Sequence, residues 1–287
     1  MQIVANIIFL STFYVSFAVG LALVFGVMRT INFAHGEFYM FGGYALWMLI
    51  NAFTGILPPG ATFIVALIVG AAVVGILGIL VQLSIFHRLR EQPFSIFMAT
   101  LGLSYVLQVA VVKAIGPMGQ SVPAPFPGFI LFEGMVLPIQ RLVVFGFTVV
   151  MMGGLYLFLM HTDLGRAVRA TAQNRTGAML QGISMNHIAL TTMFVGSALA
   201  AISGVLMGSV LIISPFMGGE ALWRAFIIII VGGIGSLSGA VVAAFLFGII
   251  DTLMTTFGAG KFAPMVDAII MLLVLSFLPS GLLGARE

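Results

Sequence analysis

The chain has 287 residues, 61% of them hydrophobic and 7% charged, with a mean hydropathy of +1.24. A soluble domain carries about 25% charged residues, so 11 basic and 8 acidic side chains cannot cover a water-facing surface of this size, and a soluble globule is excluded. With no Cys there is no disulfide framework, iron–sulfur cluster or Cys-ligated zinc site. The net charge of +3 reports orientation in a bilayer, since a nucleic-acid binder would not hide its arginines between apolar spans.

Apolar runs long enough to cross a bilayer, about 20 residues, fall in chain order at 3–28, 33–50, 61–86, 94–115, 141–161, 188–213, 225–250 and 263–279. Counted once each they give eight crossings. The second is short and the seventh is interrupted by Gly and Ser, so the range is eight to ten. The first run has no Lys or Arg before it and is longer than a signal-peptide core, so it is expected to stay as a span. The fold class is all-α: a polytopic membrane helical bundle with broken helices, one transmembrane domain over 1–287.

Basic residues sort the connections. His87–Pro93 and the polar stretch His161–His187 are separated by two spans and therefore share a face, which the positive-inside rule makes cytoplasmic. With eight spans, Arg29, Arg88, Arg90, Arg166, Arg169, Arg175 and Lys261 fall inside, and Lys113, Arg141, Arg224 and Arg286 outside. This places both termini outside, unless the seventh run is a hairpin. The connection 116–140 contains Pro123, Pro125, Pro127 and Pro138, with Glu133 its one charge before Arg141, and reads as an extended external loop.

Two clusters interrupt the apolar pattern. The first, Gly26 to Tyr44, contains Arg29, Asn32, His35, Glu37 and Tyr39; the second runs from Ser214 through Glu220 and Arg224 to Gly233, Ser236 and Gly239. Polar backbone at membrane depth is tolerated where it is buried in protein or lines a cavity, and transporters place substrate sites at such breaks in paired positions of two halves. Asn32, His35, Glu37, Tyr39, Glu220, Arg224, Gly233 and Ser236 are therefore the candidate pathway residues. A half-helix starting near Asn32 would aim free N–H groups at an anionic group, and Glu37 is a candidate partner for an ammonium group or for Arg29. The alternative reading makes Asn32 a helix cap with Arg29 and His35 at headgroup level. Glu220 and Arg224, four residues apart, are placed to pair on one helix face. Gly233-x-Gly235-x-x-x-Gly239 misses the dinucleotide-loop spacing and follows no βαβ pattern.

The cytoplasmic segment, about 162–187, is Ala-rich with Arg166 and Arg169 and predicts a short helix stopped at Gly182, with Met179, Leu180 and Ile183 as an apolar edge. It is suited to docking a soluble partner or to lying on lipid headgroups. The chain has no phosphate-binding GxxxxGK[ST] loop, no HExxH and no GxSxG, and its four His lie in separate segments, so neither catalysis nor a metal site is expected.

The run GLALVFGVMRTINFAHGEFYMFGGY (20–44), the segment GRAVRATAQNRTGAMLQGI (165–183) and the block ALWRAFIIIIVGGIGSLSGAVVAAFLFGI (221–249) together resemble the LivH-type permeases of bacterial ABC importers for branched-chain amino acids. The resemblance implies an inner-membrane permease subunit, no cofactor, and four kinds of neighbour: a second, LivM-like permease, two cytoplasmic ATPase subunits, a periplasmic substrate-binding protein and membrane lipid. It identifies Gly165, Arg166, Arg169, Ala170, Asn174 and Gly182 with the segment that couples to the ATPases. Related permeases carry urea, short amides or other amino acids, so these are alternative substrates. An ion-coupled secondary transporter using Glu37, Asp251 and Asp267 is a further alternative.

Overall fold

The computed structural model describes residues 1–132 and 134–284; Glu133 and Arg286, both counted among the loop charges above, lie outside the described residues. Among the described residues, seven helices are long and apolar enough to cross a membrane. The first, α1 (Gln2–Met28), ends at Arg29, whose left-handed backbone (φ 50°) closes the helix through its N–H to the Phe25 carbonyl at 2.8 Å. Residues 29–34 leave the helix and turn back into the bundle, and α2 (His35–Phe53) begins beside Gly20, two turns above the inner end of α1. Prolines at the first positions open α3 (Pro59–Val81) and α4 (Pro93–Ala114), where a missing N–H costs nothing; α3 is prolonged by a π-helical turn over Gln82–Phe86.

The external connection is not wholly irregular. Phe129–Phe132 (β1) and Met135–Pro138 (β2) form an antiparallel hairpin, with Phe129 opposite Pro138 and Ile130 opposite Leu137. Both Pro-flanked strands are four residues long, too short to leave a period-two signal in the sequence. The hairpin is tied to the start of α1 by Gln2, whose side chain bonds both main-chain groups of Val136.

After α5 (Ile139–His161) the cytoplasmic segment forms α6 (Asp163–Gln173) and α7 (Arg175–Leu180), where one helix was expected. Asn174 divides them because its side-chain oxygen accepts the Gly177 N–H at 2.8 Å, capping α7. Gly182 (φ 80°) does stop the helix. Then α8 (Met185–Gly208) crosses outward.

The seventh apolar run is two helices, α9 (Met217–Gly232) and α10 (Leu237–Thr256), followed by a 3-10 turn (Gly260–Phe262) and α11 (Ala263–Phe277). The break falls at Gly233 (φ 107°) and Gly235 (φ 81°), conformations that side chains disfavour. The hairpin corrects the orientation read from eight spans. Lys261 moves to the outer face. The segment 281–284 lies at the inner face, where Leu282 and Leu283 donate to the carbonyls of Val231 and Gly232. Arg29, Arg88, Arg90, Arg166, Arg169 and Arg175 then lie on the face opposite Lys113, Arg141 and Lys261, so the excess of basic residues stays on the side of α6.

The order of a long helix, an interruption, a half-helix and two further spans occurs twice, in opposite directions: α1–α4 starts outside and α8–α11 starts inside. The core is built on this repetition, α1 packing antiparallel along α10 and α8 along α3. Buried Gly, Ala and Ser line these seams, as expected where backbone approach replaces the hydrophobic drive between helices. At Gly204 of α8 an added Cβ would lie 1.9 Å from the Tyr39 carbonyl of α2.

Candidate functional site

The two interruptions meet. The chain descends from α8 through 209–216, where Ile213 exchanges main-chain hydrogen bonds with Gln120 (2.7 and 2.8 Å), and α9 starts at the level where α2 starts. Gly36 and Gly218 touch there through their backbones: a Cβ on either would lie 2.4 Å from the carbonyl oxygen of the other. Two half-helices thus diverge from mid-membrane, α2 outward and α9 inward.

Around this junction lie four of the sequence candidates. Glu37 is 1% exposed; its Oε1 accepts from Ser104 Oγ at 2.7 Å and Gln108 Nε2 at 2.9 Å, both on α4, and its Oε2 has no partner. It does not pair with Arg29. Asn32 is buried, its Oδ1 accepting the Ala34 N–H at 3.1 Å in a local turn and its Nδ2 unpartnered. His35 is fully buried among Phe17, Phe38 and Gly20, with both ring nitrogens unpartnered. It is therefore not at headgroup level. The Tyr39 ring stands edge-on to Phe17 at 5.1 Å.

The second cluster is dispersed. Glu220, in the first turn of α9, is exposed at the depth of the junction. Arg224 does not pair with it. Its Nη1 reaches Asp251 Oδ2 (2.5 Å) on α10, Asp267 Oδ2 (3.2 Å) on α11 and the Tyr14 hydroxyl (2.8 Å) on α1, and the Tyr14 hydroxyl donates to Asp251. This network clamps α9 to three helices, because a guanidinium in a low-dielectric interior is held by whatever carboxylates reach it. Gly233 and Ser236 lie at the inner end of α9, its 16 residues spanning about 24 Å. Gly233 packs on the backbones of Gly281 and Gly284, and Ser236 caps α10 by accepting the Gly239 N–H at 3.0 Å. Both lie at the inner face and not at the junction. Ser236 lines, with Arg169 and Gln173, an inner cavity of about 570 Å³ beside α6.

Sequence reasoning missed Thr100, Ser104 and Gln108. They recur every four residues on an otherwise apolar helix, so they form one stripe, and all three serve the first interruption: Thr100 Oγ1 accepts the Phe33 N–H at 3.3 Å, and the other two bond Glu37. It also missed that Phe33-x-x-Gly36-Glu37 and Phe216-x-x-Gly219-Glu220 are the same signature at the two half-helix starts.

The cytoplasmic candidates form one unit. Thr162 caps α6 by accepting the Gly165 N–H at 3.0 Å, and Gly165 lies against the main chain of Phe158. Arg169 Nε donates to the Leu159 carbonyl at 3.0 Å and so fixes the corner between α5 and α6, while Arg166 pairs with Asp163 on the exposed face of α6 itself. Ala170 stands in the middle of α6 and Asn174 at its end. Leu180, at the tip of α7, is 82% exposed.

Comparison with known proteins agrees with this architecture. Residues 3–276 match the family described as the permease component of the branched-chain amino acid transport system. The chain is 31% identical over its whole length to BraD of Pseudomonas aeruginosa and to LivH of Escherichia coli K12, covering 96% of each; both are named as high-affinity branched-chain amino acid transport system permease proteins. It is also 25% identical to LivM of Escherichia coli K12, over 96% of this chain and 68% of that protein. A multi-pass helical bundle with two interruptions meeting at mid-membrane, matched from end to end in this way, belongs to the branched-chain amino acid permease family.

Proposed function

We propose that this chain is the LivH-type permease of an ATP-driven importer that moves branched-chain amino acids across the bacterial inner membrane, its whole length acting as one transmembrane domain. Hydrolysis takes place in two cytoplasmic ATPase subunits, and a periplasmic binding protein delivers the substrate. The observation that carries the reading is the junction of the two half-helices, with the Glu37 carboxylate half-satisfied on one side and the Glu220 carboxylate exposed on the other. A charge facing lipid at this depth costs several kcal/mol, so the Glu220 face is covered by a second permease, a LivM-like chain, or by the path between the two. A zwitterion passing the junction meets a carboxylate for its ammonium group and helix N-termini for its carboxylate; Asn32, His35 and Tyr39 shape the wall. The path then needs no tight site, only a lowered desolvation barrier.

Glu37→Gln keeps an acceptor for Ser104 and Gln108 but removes the charge. ATP-dependent uptake of leucine by the reconstituted complex is expected to fall about tenfold or more, with subunit stoichiometry unchanged. Normal uptake would remove Glu37 from the path. Uptake that runs on ATP without an ion gradient separates this reading from secondary transport, whose candidate carboxylates Asp251 and Asp267 are bound to Arg224.

The coupling segment Gly165–Gly182 is assigned to the ATPases because Arg169 ties α6 to the end of α5 while Leu180 and Met179 stand exposed at its tip. A rigid corner with an apolar tip transmits a push. Leu180→Glu is expected to weaken recovery of the ATPase subunits by more than about tenfold in co-purification, leaving the two permeases together. Full ATPase recovery with normal uptake would place the docking surface elsewhere.

A further inference from the structure

We infer that the outer half of the molecule holds a specific site for one anionic phospholipid, in a cavity of about 550 Å³ between the outer ends of α1, α5, α8 and α10. Two observations carry it. The first is a cation without an anion. Arg141, in the first turn of α5 directly after the external hairpin, has no carboxylate partner among the described residues; its contacts are a long 3.4 Å bond to Asn6 Oδ1 and the Phe9 ring at 5.7 Å. The hairpin fixes its depth: one turn below residues that lie outside the bilayer, Arg141 is at the level of lipid phosphates.

The second is the order of groups along the membrane normal. Arg141 and Asn6 stand at the mouth; Phe9 and Val144 lie one turn deeper on α1 and α5, and the wall continues over apolar side chains at the outer end of α8 and just after it, Met207 and Leu211. A phospholipid presents phosphate, ester and acyl chain in the same sequence. A free amino acid satisfies the cation equally well, but its single short side chain does not fill a cavity this large whose walls are mostly apolar, and a lipid chain does. The site lies away from the junction of α2 and α9, so it stands whether or not that junction is the path.

The test is native mass spectrometry of the complete importer, purified in mild detergent and exchanged into nanodiscs of phosphatidylethanolamine with phosphatidylglycerol. One phosphatidylglycerol is expected to stay with each copy of this chain, retained at least about fivefold less by Arg141→Gln and as well as in the parent by Arg141→Lys. Leu211→Trp, which enters the cavity from an exposed wall position, abolishes retention. Equal retention by the parent, Arg141→Gln and Leu211→Trp would show an unspecific lipid shell and overturn the inference. Displacement of the lipid by millimolar leucine, or a crosslink from position 211 to the other permease chain, would overturn it as well.

Discussion

Replacing Arg224 by alanine is expected to destabilise the protein by about 3–5 kcal/mol. The substitution leaves Asp251 and Asp267, each 3% exposed, side by side without their counter-charge. Each also carries an oxygen that has no hydrogen-bond partner, so the guanidinium is the group that makes their burial tolerable. It is equally the cross-link that holds α9 to α1, α10 and α11, and its loss frees the half-helix that begins at the junction. Thermal unfolding of the purified complex and the yield of folded protein measure the effect. Neutralising all three positions (Arg224→Gln, Asp251→Asn and Asp267→Asn) is expected to recover more than half of the loss, because the penalty arises from uncompensated charge and the three sites act as one network. A melting temperature for Arg224→Ala within about 2 °C of the parent would mean the cluster contributes little.

Gly36→Ala is the second large effect. Its new methyl group would lie 2.4 Å from the Gly218 carbonyl oxygen, and the obstacle is main chain, which cannot rotate away. The half-helices must separate, at a cost of about 1–3 kcal/mol in overpacking. Because the displacement is at the junction itself, uptake is expected to fall further than stability does, by about tenfold or more. Gly219→Ala is the matched control: it is one residue from the contact, on the same helix as Gly218, and a Cβ there meets nothing within 4 Å. Its uptake and melting temperature are expected to match the parent, and equal damage from both substitutions would refute close approach as the reason for Gly36.

The comparison between reading and structure divides along the range of the interactions. Five of the six runs before α9 were legible as spans because a bilayer demands about 20 apolar residues in a row, whereas 33–50, counted as a crossing, is the half-helix α2; the stop at Gly182 fell where a glycine allows a positive φ. The same rule misread 225–250, since two helices joined at Gly233–Ser236 have the hydropathy of one long one. That error carried Lys261 and the C-terminal segment to the wrong face. Pairing failed for a related reason. Glu220 and Arg224 are neighbours by helical spacing, yet the arginine is long enough to reach Asp251 and Asp267, 27 and 43 residues away, and in a dry interior the partner is set by what is near in space.

By itself the sequence determined that the chain is a membrane bundle, where the backbone breaks and which segment forms the polar helical corner. These follow from solvent and local backbone preferences, which act within a few turns of the chain. Only the tertiary structure decided that the two breaks meet at Gly36 and Gly218, that Glu37 is held by Ser104 and Gln108 while Glu220 stands open, and that Gly233 and Ser236 belong to the inner face. Those outcomes depend on antiparallel packing of α1 on α10 and α8 on α3, contacts such as Ser11–Gly248 and Gly78–Ser197 between residues far apart in the chain, and no periodicity within one helix encodes which other helix will lie against it.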